Sequence, residues 1–142
     1  LAEALHYAKR YNPELVFDFA TLTGAAKAAT SSIAAPFMGT ASTEVKTKLL
    51  TSANNTYERL IELPLWEEYG ELIKSDVADI KNVGGPEAGA ITAGKFLEHF
   101  TDYPWMHFDI AGTAYLMSED SYRGKYGTAY GVRLITDFLK NY

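Results

Sequence analysis

Leu15-Val16-Phe17-Asp18-Phe19-Ala20-Thr21-Leu22-Thr23-Gly24-Ala25 is the stretch that decides the fold. Leu15–Phe19 is β-branched and aromatic and apolar on both faces, the pattern of a strand in a sheet covered on both sides. Thr21-Leu22-Thr23-Gly24 then turns the chain. The Ala-rich run from Ala25 to Ala35 reads as a helix ending at Pro36. A strand running straight into a helix is the repeating unit of sheets flanked by helices.

Working outward, the same alternation recurs. Upstream, Leu1, Ala4, Leu5 and Ala8 form a helical stripe that stops before Asn12-Pro13. No capping residue precedes it, so the reading is of a helix without its first turn in a polypeptide that continues upstream. Downstream, Phe37-Met38-Gly39 reads as a short strand. Thr43–Ala53 reads as a helix capped by Ser42 or Thr43, with Val45, Leu49 and Leu50 inward. Leu60–Leu63 is a strand closed by Pro64, and Leu65–Lys74 a helix with Leu65, Tyr69, Leu72 and Ile73 on one face. Ser75–Val83 fits no single element, and Gly84-Gly85-Pro86 is a loop. Ala90–Phe100 reads as a helix, Trp105–Ile110 as a second strand, Tyr115–Gly127 as irregular, and Thr128–Leu139 as a last helix with Val132, Ile135 and Leu139 in register. The fold class expected is α/β, a three-layer αβα arrangement around a central mixed sheet. Ligands in such folds sit beyond the carboxyl ends of strands.

Composition narrows the chemistry. The 142 residues are 47% hydrophobic and 22% charged, with 11 Gly, 5 Pro and no Cys. Such a chain is globular, and large enough for a packed core. Without Cys there are no disulfides, thiolate zinc sites or cysteine nucleophiles, which fits a reducing compartment. A net charge of −5 and short basic clusters such as Lys46-Thr47-Lys48 argue against nucleic acid as a partner. No run of 18 apolar residues marks a membrane span.

Four clusters carry potential chemistry. The turn at Thr21–Gly24 sits at a helix start, where free N–H groups favour an anion or a developing oxyanion. Its plainer reading is a tight turn whose hydroxyls satisfy backbone groups. His107 and Asp109, two apart on a strand, share a face and could meet at a metal, or be paired, or each be satisfied separately. Ser75-Asp76-Val77-Ala78-Asp79 carries two carboxylates three apart, readable as acid and base or as a capped, solvated turn. Gly84–Ala90 is Gly-rich but lacks the G-x-x-x-x-G-K-[ST] pattern: Phe96 follows Gly94-Lys95, leaving a backbone-defined substrate wall or a subunit contact. No nucleophile elbow and no HExxH motif is present. The residues alone outline a site wall without a catalytic engine.

Three of these segments, extended, resemble the catalytic domain of the cytosol (leucyl) aminopeptidases, the M17 family of two-metal peptidases. They are Phe17–Ala25, Ser75–Gly84 and Trp105–Ala114. Leu63-Pro64-Leu65-Trp66-Glu67-Glu68-Tyr69 and Gly89-Ala90-Ile91-Thr92-Ala93 also fit, in the same order. The resemblance covers nearly the whole chain and implies removal of N-terminal residues, often Leu, from peptides. It implies two divalent ions, Zn or Mn, that activate a water and polarise the scissile carbonyl. It also implies a cytoplasmic homo-hexamer.

The family's N-T-D-A-E-G-R-L signature precedes a segment like Leu1–Ala8. The expectation is therefore that residues 1–142 form part of a catalytic domain that lacks the upstream metal-ligand segment, and that no metal ligand or catalytic side chain lies within them. The isolated chain should then bind no metal and be inactive. What the resemblance carries over is a pocket. Thr21, Gly24, Ala111 and Ala114 line the space for the leading side chain, Leu22 offers backbone near the reacting group, and Val83 touches the residue after the scissile bond. Two other readings are weighed: a stand-alone α/β module binding a small anion at Thr21–Gly24, and a noncatalytic assembly protein.

Overall fold

The computed structural model describes residues 1–120 and 122–142. Its centre is the strand pair β1 (Val16–Ala20) and β4 (Trp105–Asp109), parallel and in register from Val16 against Trp105 to Ala20 against Asp109. Between them in sequence come β2 (Ala35–Gly39) and β3 (Leu60–Glu62), and the four strands lie in the order β1-β4-β2-β3. β2 runs antiparallel to β4 and parallel to β3, so the sheet is mixed.

Alternation along β4 divides its side chains between two cores. Met106 and Phe108 point to one face, with Phe37 of β2, and meet Leu49 and Ala53 of α3 (Thr43–Thr56) and Leu134 and Phe138 of α6 (Val132–Lys140). Phe108 stacks on Phe19 at 4.3 Å, and Phe17 meets Phe138 edge-on at 5.2 Å. Trp105 points to the other face, against Leu5 of α1 (Ala2–Ala8) and Leu97 of α5 (Gly89–Glu98). Helices therefore cover both faces of the sheet, giving the three-layer αβα class. Each fully buried side chain of this kind contributes about 1.5–3 kcal/mol.

Several expectations change. β1 stands at an edge of the sheet among the described residues, pairing with β4, while Phe17 and Phe19 pack on one core and Val16 on the other. The Ala-rich helix does not reach Pro36. α2 spans Gly24–Thr30, the backbone reverses at Ser31 with φ +55°, and Pro36 lies inside β2. Strand pairing overrides the helix preference of the alanines, and Pro36 precedes Phe37, where the ladder to β4 begins, so its missing N–H costs that ladder nothing.

The helix expected over Leu65–Lys74 shrinks to one turn, α4 (Glu68–Glu71); Ile73 is buried but Leu72 is exposed. The last helix starts later than Thr128. Thr128 Oγ1 donates to the Thr113 carbonyl at 2.6 Å, and Gly131 stands at φ +98°. The buried residues of α6 are Leu134 and Phe138, with Ile135 packed alongside, whereas Val132 and Leu139 are 63% exposed. The described residues of 115–127 are largely irregular, closed by a small antiparallel ladder between β5 (Tyr115–Leu116) and β6 (Tyr126–Gly127).

Candidate functional site

Because β1 and β4 are parallel, their carboxyl ends lie side by side. Ile110 N–H donates to the Ala20 carbonyl at 2.9 Å, and from there Thr21–Gly24 and Ala111–Ala114 leave the sheet as neighbours. Asp109, the last residue of β4, is 1% exposed. Its Oδ1 accepts the N–H groups of Leu22 at 3.2 Å, Thr23 at 3.4 Å and Ala111 at 3.2 Å. Its Oδ2 accepts the Thr23 hydroxyl at 2.7 Å. Thr23 Oγ1 in turn accepts the Ala26 N–H at 2.9 Å, which caps α2.

The turn therefore follows its plainer sequence reading, with hydroxyls satisfying backbone groups. The N–H groups of Leu22 and Thr23, just before the helix start, are donated to an internal carboxylate. Sequence reasoning weighed Asp109 only beside His107 and missed this role, since its partners on β1's turn lie 86 and 87 positions away.

His107 and Asp109 share a face of β4, as strand alternation requires, but their partners are separate. His107 Nδ1 lies 2.5 Å from Asp18 Oδ1 across the β1–β4 pair, and the Trp105 indole N–H donates to Asp18 Oδ2 at 2.6 Å. All three side chains are buried, and His107 Nε2 has no hydrogen-bond partner among the described residues. Among the described residues, no three His, Asp or Glu side chains stand close enough to hold a metal ion. With Asp18 and Asp109 both committed to these hydrogen bonds, the described residues offer no ligand set for the pair of divalent ions that the resemblance implies. His6 and His99 are exposed on α1 and at the end of α5.

The Ser75–Asp79 segment is a capped turn: Ser75 Oγ accepts from Val77 N at 3.3 Å and Ala78 N at 3.1 Å, while Asp76 and Asp79 are exposed. The Gly-rich loop is a wall. Gly84 packs so closely that a Cβ there would come within 2.7 Å of Thr92. With Leu22, Thr23, Val83, Ala93 and Phe96, it borders a mainly apolar cavity of about 410 Å³.

Of the six residues expected to touch substrate, Leu22 and Val83 line this cavity. Thr21 and Gly24 are exposed on the same turn as Leu22 but outside the cavity lining. Ala111 and Ala114 are half-buried on the adjoining segment and do not line it either. Asp109 joins the two segments, and so connects Thr21–Gly24 to Ala111 through one side chain.

Comparison with known proteins adds to this geometry. Residues 1–136 match the family described as the cytosol aminopeptidase family, catalytic domain. A probable cytosol aminopeptidase of Geobacter sulfurreducens is 50% identical over 141 residues, covering 99% of this chain and 28% of that protein. One from Histophilus somni is 47% identical over 142 residues, again with 99% and 28% covered. Among solved structures, a mutant of tomato leucine aminopeptidase superposes with a TM-score of 0.90 at 33% identity, over 99% of this chain and 27% of that one. The chain thus spans somewhat more than a quarter of the length of these relatives.

Proposed function

The chain belongs to the cytosol aminopeptidase family, and from that premise we propose that it supplies the walls of a site where a peptide's N-terminal residue is held for hydrolysis. The supporting observation is the pair of segments Thr21–Gly24 and Ala111–Ala114, side by side beyond the carboxyl ends of two parallel strands and tied by Asp109. The proposed substrates are peptides with a free N-terminus, Leu among the preferred leading residues. Thr21, Gly24, Ala111 and Ala114 flank the leading side chain, Leu22 offers its backbone beside the reacting amide, and Val83, at the cavity rim, meets the next residue.

Hydrolysis adds water across the first peptide bond, breaking C–N and leaving a free amino acid and a shortened peptide. A wall that fixes the leading side chain converts loose encounter into one geometry, and that positioning is the contribution of this chain. The ion pair, Zn or Mn, is proposed for the complete enzyme, supplied by side chains other than these, and so are the homo-hexameric state and the cytoplasmic location. Among the described residues, no helix is long and apolar enough to cross a membrane.

The test compares the 142-residue chain with the gene product that carries it, on Leu-p-nitroanilide with Mn²⁺ or Zn²⁺. The larger protein should turn over in a chelator-sensitive way and the 142-residue chain should not. A larger protein without aminopeptidase activity defeats the reading; chelator-sensitive turnover by the 142 residues alone defeats the assignment of the ions elsewhere.

A further inference from the structure

We propose that Asp109 is a positioning residue that sets which leading side chain is accepted, by fixing the two proposed walls relative to each other; this rests on the aminopeptidase reading above. One buried carboxylate accepts three N–H groups and one hydroxyl. The donors belong to both walls: Leu22 and Thr23 on one, Ala111 on the other. Both segments leave the sheet at its end, beyond the last register pair Ala20–Asp109. Past that pair, the Asp109 carboxylate joins them together with the backbone bond from Ile110 to Ala20.

The chemistry favours an acceptor-only group. A carboxylate presents lone pairs to all four donors, whereas an amide keeps one carbonyl oxygen, loses the charge and makes the Thr23 hydroxyl turn to accept from its NH₂. Asp109→Asn therefore keeps the volume and weakens the tie. Thr23→Val removes the hydroxyl from Asp109 and also uncaps α2, while Thr23→Ser keeps both contacts. A pocket whose wall shifts by the width of a methylene loses the discrimination that such a group carries, about tenfold or more.

The experiment uses the gene product that carries this segment. It measures kcat and KM on Ala-, Leu- and Phe-p-nitroanilide for wild type, Asp109→Asn, Thr23→Val and Thr23→Ser, together with amide exchange at Leu22, Thr23 and Ala111. Asp109→Asn should speed exchange at all three amides. It should compress the Leu-to-Ala ratio of kcat/KM by about tenfold, mostly through KM. Thr23→Val should move the ratio the same way and Thr23→Ser should restore it. The inference is overturned if the ratio stays within about twofold of wild type while the amides lose protection, or if Thr23→Ser behaves like Thr23→Val. Should Asp109→Asn fail to fold, the Thr23 pair decides alone. An inactive wild type instead sinks the aminopeptidase reading, and this inference with it. An active wild type with unchanged selectivity in the variants sinks this inference alone.

Discussion

The carboxylate of Glu58 accepts the Leu134 N–H at 2.8 Å, and so caps a helix that has no side-chain cap of its own. The same Oε2 accepts the Gly131 N–H at 3.1 Å, and Arg133 reaches Oε1 at 3.4 Å. Glu58 is 2% exposed and lies just before β3, so it ties the start of α6 to the neighbourhood of the sheet's β3 edge.

Glu58→Ala leaves two buried N–H groups unsatisfied and should cost about 1–3 kcal/mol for each orphaned donor. Glu58→Gln keeps one carbonyl acceptor and should cost less. Urea unfolding followed by circular dichroism measures both, and equal losses in the two variants would show that the cap is not the source.

Two glycines should respond in opposite ways. A Cβ at Gly112 would lie 1.9 Å from the Ser31 carbonyl oxygen, backbone against backbone. Gly112→Ala should therefore destabilise the chain by about 1–3 kcal/mol or more. A Cβ at Gly24 meets nothing within 4 Å, and Gly24 is already helical. Gly24→Ala should raise stability by up to about 1 kcal/mol. If Gly24 borders the leading side chain, the same substitution in the active protein should raise KM for Leu substrates more than for Ala substrates. Thermal melts and steady-state kinetics separate the two effects.

Stability should fall on the alkaline side. Burial works to lower the Lys95 pKa, but its hydrogen bond and ion pair with Glu98, helped by Glu67, raise it above the ordinary lysine value. The folded state then holds this proton more tightly than the unfolded one. Its contribution is complete below about pH 10.4, the ordinary lysine pKa, and is lost as pH rises through the raised folded value. Burial also pushes the phenols of Tyr103 and Tyr130 up, in the same sense. The stability gap between wild type and Lys95→Met should therefore narrow as pH is raised from 8 to 12, read by denaturant unfolding at each pH. A gap that widens would reverse the sign argued here.

Asp18→Ala should be among the most damaging single changes. It strips Trp105 Nε1 and His107 Nδ1 of their shared acceptor. The expected loss is about 1–3 kcal/mol per orphaned group, with a change in Trp105 fluorescence because the indole loses its partner. An unchanged emission spectrum would contradict the placement of that indole.

What the sequence made legible follows the range of the forces involved. The runs Val16–Ala20 and Trp105–Asp109 stood out because β-branched and aromatic residues advertise strands, and the Ser42 cap of α3 because it is local. Pro36 misled, since proline beside alanines signals a helix stop, while its place in β2 depends on strands that arrive later in the chain. Thr128–Leu139 misled because the helix start is fixed by Glu58, 73 and 76 positions away from its partners. At the site, Thr21–Gly24 was visible as a turn. The role of Asp109 was not, because nothing near it in sequence reveals donors 86 and 87 positions away.

The pairing of Asp18 with His107, 89 positions later, has a consequence for biogenesis. On the ribosome, β1 emerges long before the strand that shelters it, with Phe17 and Phe19 waiting. At about 5–20 residues per second the wait is roughly 5–20 s. The β1–β4 pair therefore closes only after the intervening residues have emerged, the slow pairing that a long sequence separation imposes.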